Sequence, residues 1–247
     1  TTLIFDQIVQ HVSKYGTIYN GKIKCPLIIR IPMGGKRGYG PTHSQSLEKH
    51  FLGIPNLYVI ALNHRVSPDY LFKAICEVDG APFLVIENKI LYTINTSIKK
   101  VEGYEYSFSD ALFPSLLISP VFDKPTLTII CYGEVLNEVE LAVRELFIEF
   151  EIIVEIVCPT LLSPIDISLI SESVKKTNNL VIIEEGNGEA AWGSEVVSKL
   201  LESKIGIRNL IRFSNDNIIP SSYQAEKKIL PTKDNIKKLV SNFVKSI

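Results

Sequence analysis

The chain has 247 residues, 46% hydrophobic and 21% charged, with a net charge of −1. That length and apolar content bury one large core or two ordinary ones and exclude a disordered tail. The near-neutral balance, with a pI of about 6.4, argues against nucleic acid as a partner, because phosphate binding needs a clustered surplus of Lys and Arg.

From the N-terminus, a helical pattern opens at Thr1, as if the chain began inside a domain. The first strand-like run is PLIIRIP (26–32), followed by the glycine-rich loop GGKRGYGPTHSQ (34–45) and by SLEKHF, which can start a helix. Further apolar runs are LYVIALN (57–63), APFLVIENK (81–89), LTIICYG (127–133), IIVEIVCP (152–159) and NLVIIEEG (179–186). None alternates apolar with polar, which predicts strands buried on both faces, as in a parallel sheet. Amphipathic stretches lie between them, VLNEVELAVRELFIEF (135–150) above all, and NIKKLVSNFVKSI closes the chain with lysines on a solvated face. Strand alternating with helix predicts an α/β protein.

Two helix starts use one device. Ser67-Pro68-Asp69 and Ser163-Pro164-Ile165-Asp166 each predict a capping hydroxyl, a proline at the first helical position and an acid in the first turn. Between 91 and 125 the periodicity fails, and this stretch is predicted to connect two domains, 1–122 and 123–247. No apolar run approaches the ~20 residues of a membrane-crossing helix, so no membrane partner is expected. The cysteines, Cys25, Cys76, Cys131 and Cys158, form no CxxC pair. They predict reduced thiols in a reducing, cytoplasmic compartment and no zinc site.

The candidate chemistry centres on His43. Glycines and Pro41 form its turn, and Ser44 and Gln45 offer partners able to fix one imidazole tautomer, a setting for proton transfer near neutral pH. Lys36 and Arg37 flank the same glycines and could neutralise a carboxylate or phosphate, although no G-K-[ST] completes a phosphate loop. EEGNGEAAWG (184–193) lacks the G-x-G-x-x-G spacing and reads as a strand-to-helix turn. Glu184 and Glu185 are expected to cap or pair. His11, His50 and His64 have no metal-ligand spacing, and no G-x-S-x-G elbow occurs.

The ordered series FDQIVQHVSKYG, CPLIIRIPMGGKRGYGPTHSQSLEKHFLGIPNLYVIAL and GAPFLVIENKILY resembles the pyrimidine-binding domain of β subunits of thiamine-dependent 2-oxo acid dehydrogenases. There a strand with an arginine, here Arg30, leads into a glycine-rich loop and His-Ser-Gln, here His43-Ser44-Gln45. TIICYGEVLNEVELAVREL, VEIVCPTLLSPIDISLISESVKKTNNLVIIEEG and WGSEVVSKLL look like the transketolase C-terminal domain. The likeness implies two three-layer α/β/α domains with mainly parallel sheets, the first a partial pyrimidine-binding domain.

It also implies an activity: decarboxylation of a 2-oxo acid on thiamine diphosphate with magnesium, and transfer of the acyl unit to a lipoyl acyltransferase partner. His43 would handle a proton there. Leu27, Ala74 and Ile75 match a potassium site of some relatives, with a longer loop, CEVDGAP, following. The family's cofactor-activating glutamate and stacking aromatic fall upstream of Thr1, and its diphosphate site belongs to an α subunit or domain. The chain alone is therefore expected to bind no cofactor and to work within a homo- or hetero-oligomer. GPTH is also similar to transketolases and deoxyxylulose phosphate synthases, so half of a split sugar-phosphate enzyme, with Lys36 and Arg37 on substrate phosphate, is the alternative. A non-catalytic assembly or dimerisation module is the third.

Overall fold

In the computed structural model, which describes residues 2–94 and 99–247, a short helix α1 (Tyr15–Ile18) precedes β1 (Ile28–Met33), β2 (Tyr58–Ala61), α2 (Pro68–Glu77) and β3 (Phe83–Asn88). Then come β4 (Tyr104–Phe108), β5 (Ser115–Pro120), β6 (Leu127–Cys131), α3 (Val135–Phe150), β7 (Val154–Pro159) and β8 (Leu161–Ser163). The chain closes with α4 (Ser168–Thr177), β9 (Asn179–Ile183), α5 (Trp192–Glu202), β10 (Asn209–Phe213), α6 (Tyr223–Ile229) and α7 (Lys233–Lys245). Thr1 and part of the predicted connection, 95–98, lie outside the described residues.

Two sheets result, ordered β1-β3-β2-β8 and β10-β9-β6-β7-β5-β4. β1, β2 and β3 run parallel, as do β6, β7, β9 and β10. The fold is α/β with mainly parallel sheets, and the central strands are apolar without alternation because both faces are covered. Every residue of β3 and of β7 is buried. Removing a Leu or Ile side chain of this kind from water contributes roughly 1.5–3 kcal/mol.

The stretch 91–125 is not a simple connection. β4 and β5 form an antiparallel pair that extends the second sheet through β7, and Leu116 and Ile118 are fully buried. The sheets therefore divide the chain ahead of Tyr104, not at 122. The failed periodicity has a plain cause: β4 is an edge strand, mostly exposed, and is rich in polar residues. The chain also crosses back. Straight after β7, the Thr160 carbonyl accepts from the Ala61 N–H, and β8 pairs antiparallel with β2 of the first sheet.

One apolar core spans both sheets. Ile31, Val59 and Leu84 share it with Ile130, Leu162 and Trp192. The opposite faces carry α2 against the first sheet and α3 with α7 against the second. Helix α3 occupies the predicted residues, ending where Glu151 turns left-handed at φ 56°.

The two helix starts came out differently. Ser67 and Pro68 do begin α2, but the Ser67 side chain makes no capping bond. The Ser163–Pro164 peptide is cis, and Ser163 ends β8 instead of opening a helix. Helix α4 starts at Ser168, whose N–H and hydroxyl both donate to Asp166 Oδ1. SLEKHF makes only a single tight turn, Glu48–His50.

Candidate functional site

Ligands of open parallel sheets bind beyond the carboxyl ends of the strands, where the strand order reverses. In the second sheet that point lies between β6 and β9, because β6 connects to β7 on one side and β7 to β9 on the other. The residues there are Tyr132 and Glu134 after β6, and Glu184 and Glu185 after β9. The crevice is occupied by the chain itself. The glycine-rich loop leaving the carboxyl end of β1 enters it.

The fit is specific. Gly35 N–H donates to Glu185 Oε1 at 2.7 Å, and the Ser46 hydroxyl donates to the same oxygen at 3.1 Å. The Asn88 amide, at the end of β3, reaches Glu185 Oε2 at 3.3 Å. Lys36 Nζ lies 2.7 Å from Glu134 Oε2 and 3.1 Å from Glu138 Oε1. Gly38 N–H donates to Glu226 Oε2 of α6 at 2.8 Å. Beneath the loop, the Tyr132 hydroxyl donates to Glu48 Oε1 at 2.7 Å. Gly34 has φ +94°, and a Cβ there would collide with the Asn88 amide, so no other residue fits.

The electrostatics follow from this burial. Burial opposes the charge of Lys36, but Glu134, Glu138 and Glu185 outweigh it and hold the ammonium above its ordinary value. Burial raises the carboxyls of Glu185 and Glu134, against the pull of Lys36. Burial likewise raises Glu48, and burial, with Glu48 beside it, lifts the Tyr132 phenol well above its usual range.

His43 sits at the other end of the loop and is exposed. Its Nδ1 is 2.8 Å from the Thr42 hydroxyl; with that hydroxyl donating, the neutral ring carries its proton on Nε2. The expected partners are corrected. Ser44 Oγ is buried without a partner among the described residues, and Gln45 Nε2 donates to the Thr42 carbonyl. The N–H groups of His43 and Ser44 both donate to the Gly40 carbonyl, which makes the turn tight.

Lys36 and Arg37 part company. Lys36, 7% exposed, is spent on two carboxylates and is not free for a phosphate. Arg37 donates to the Tyr39 hydroxyl at 3.0 Å and lies over its ring. Arg30 pairs with Glu87 at 2.5 Å, and the Tyr92 hydroxyl joins the same carboxylate. Glu184 pairs with Arg212 and accepts from Gly193 N–H at the start of α5. A Cβ on Gly193 would press into Ile182 and Glu184, so this glycine lets the helix approach the strand. His64 is buried against Glu140, which Arg65 also binds.

The residues predicted to bind potassium sit at two different elements. Leu27 precedes β1, and Ala74 and Ile75 close α2 ahead of β3. The Leu27 carbonyl accepts from Phe83 N–H, and the Ile75 carbonyl from Val78 N–H. Cys131 and Cys158 are buried thiols, Cys25 is half-buried and Cys76 exposed. Among the described residues no group of three or more His, Cys, Asp and Glu side chains could hold a metal ion, and no helix is long and apolar enough to cross a membrane.

A cleft of about 1250 Å³ opens at the amino ends of β2 and β3, lined by Asn56, Tyr58 and Pro82 among others; that is the wrong end of a parallel sheet for chemistry. A smaller one of about 290 Å³ adjoins the loop between Gln45, His50, Glu185 and Asn215. With the reversal point filled by the loop and its carboxylates already paired with Lys36, Gly35 and Ser46, the residues described there do not by themselves fit a diphosphate cofactor. What they offer is one imidazole, presented outward. Glu184 and Glu185 pair as expected, whereas Glu134, Ser46 and Glu226 were not foreseen from sequence; the only signal for Glu134 was a carboxylate just beyond a buried strand.

The family model of the transketolase C-terminal domain matches residues 118–236. The chain is 28% identical over 245 residues to the pyruvate dehydrogenase E1 component subunit beta of Cyanidium caldarium, covering 98% of this chain and 72% of that one. To the subunit of Porphyra purpurea it is 30% identical over 200 residues, 81% of this chain and 57% of that one. To the mitochondrial subunit of Caenorhabditis elegans it is 25% identical over 245 residues, 95% and 66% respectively. Among solved structures, the inactive β4 tetramer of a split-gene transketolase has a similar fold, with a TM-score of 0.66 at 18% identity over 95% of this chain and 74% of that chain.

Proposed function

We propose that the chain, similar to the transketolase C-terminal domain over residues 118–236 and to pyruvate dehydrogenase E1 β subunits over most of its length, is a thiamine-diphosphate-dependent E1 β-type subunit that supplies one wall of a 2-oxo acid dehydrogenase site, with His43 as its proton-handling group. Another polypeptide, an α subunit or domain, supplies the diphosphate and magnesium site. The cofactor, when bound by the assembled enzyme, provides the electron sink for decarboxylation. Acyl transfer to a lipoyl acyltransferase belongs to the same proposal, as does a potassium ion at Leu27, Ala74 and Ile75.

One observation carries the reading: an exposed imidazole, braced by Thr42, stands on a loop whose root is fixed in the reversal point of the second sheet. With Nδ1 engaged by Thr42 on an exposed residue, Nε2 is the atom that would give a proton to, or take one from, a group on a facing surface. The same geometry weighs against a sugar-phosphate enzyme, because Lys36 is already paired inside the protein.

The test is reconstitution with the α partner, comparing a 2-oxo acid with a ketose phosphate as substrate. Turnover of the 2-oxo acid that drops about 10²-fold or more in His43→Ala, the size expected for a lost acid–base group, supports the proposal. Unchanged turnover would leave the assembly-module reading in its place.

A further inference from the structure

We propose that Glu185 is a positioning residue for His43, a group that ties both flanks of the His43 loop to the second sheet. The inference rests on the reading of His43 given above. Its basis is where the bonds fall. Glu185 takes one donor before the histidine, Gly35 N–H at 2.7 Å, and one after it, the Ser46 hydroxyl at 3.1 Å, on the same oxygen. Its second oxygen takes the Asn88 amide from the end of β3, and Asn88 in turn abuts Gly34. The flanks also meet directly, Gly34 N–H donating to the Gln45 carbonyl at 3.3 Å.

A carboxylate can accept at all these positions because it has two oxygens and only lone pairs to offer. A glutamine cannot, since one of its two faces becomes a donor and meets a donor. The backbone records the same constraint. Lys36 is held left-handed at φ +67°, a conformation that a non-glycine residue keeps only when its surroundings over-determine it; its pairs with Glu134 and Glu138 do so. The closed base limits where residues between the flanks can go, and reacting groups displaced by about 1 Å lose rate without losing affinity.

The test uses the full chain, alone and assembled with its α partner, in the variants Glu185→Gln and Ser46→Ala. In the free chain, amide exchange across 34–46 should quicken about 10-fold in Glu185→Gln and less in Ser46→Ala, with β6 and β9 unchanged, as expected for lost buried bonds to a charged group. In the assembly, kcat should fall about 10-fold while KM stays within about 2-fold, the signature of lost alignment as distinct from lost binding. Should Glu185→Gln not fold, Ser46→Ala, which loses a single hydroxyl, carries the test. Unchanged exchange across 34–46, or kcat falling only in step with lowered thermal stability, overturns the inference. A His43→Ala assembly at full turnover sinks the reading of His43 instead, and the free-chain exchange separates the two failures.

Discussion

The glycine-rich loop has a root and a tip that differ in physics. At the root, Gly34 to Gly38 and Ser46 put a lysine and three polar hydrogens onto the buried carboxylates Glu134, Glu185 and Glu226. At the tip, Thr42 and His43 face solvent and bond chiefly to the loop itself. Charge therefore serves different ends in the two places: it fixes the loop at the root and is left to react at the tip. Charged residues beside glycines invite a ligand-binding reading, and here the ligand of Lys36 is the protein.

Four perturbations probe that contrast. Lys36→Met should cost most, roughly 3–5 kcal/mol in urea unfolding, because it leaves Glu134 buried and uncompensated; the other oxygen of Glu134 has no partner among the described residues. Gly34→Ala should cost roughly 2–3 kcal/mol, since it forces a side chain into a left-handed conformation and onto Asn88.

A pH series comes next and opposes two buried acids. Burial lifts the carboxyl of Glu185 above its ordinary 4.5. Relative to Glu185→Gln, the wild type should therefore gain stability as pH falls from 7 through that raised value, the gain being complete below 4.5. Glu140 behaves oppositely. Burial works against its charge, yet His64 and Arg65 hold it below 4.5, so its advantage over Glu140→Gln persists above 4.5 and disappears as pH falls through the depressed value. Melting curves of both variants between pH 3 and 7 (as an order-of-magnitude range around these carboxylates, about that wide) check the two slopes. Arg37→Ala should do least, within about 0.5 kcal/mol, as for an exposed side chain at a loop; an effect as large as that of Lys36→Met would erase the distinction between buried and exposed charge on this loop.

Much of the fold was legible in the sequence. The six apolar runs are β1, β2, β3, β6, β7 and β9, because a strand covered on both faces advertises itself as uninterrupted hydrocarbon. The strands that escaped, β4, β5, β8 and β10, are edge, antiparallel or very short. β10 is only partly buried along its length, and β8 spans three residues, too few for any period to appear. The site was half legible. His43 and its turn could be found from glycine, proline and hydroxyl neighbours. Glu185 could be read as a capping or pairing acid, but its partners could not, and Glu134 and Glu226 occupy positions where a solvated helix end or face would equally hold a glutamate. Only tertiary pairing across about 100 residues or more, Lys36 to Glu134 and Gly35 to Glu185, gives them their role, and such pairings leave no local trace.

Amide hydrogen exchange on the wild-type chain tests the rooted loop most directly. The Gly35 and Gly38 amides, bonded to buried carboxylates, should exchange nearly as slowly as those of β6, while Thr42 and His43 exchange orders of magnitude faster, as surface turns do. Uniformly fast exchange from residue 34 to 46 would contradict the account.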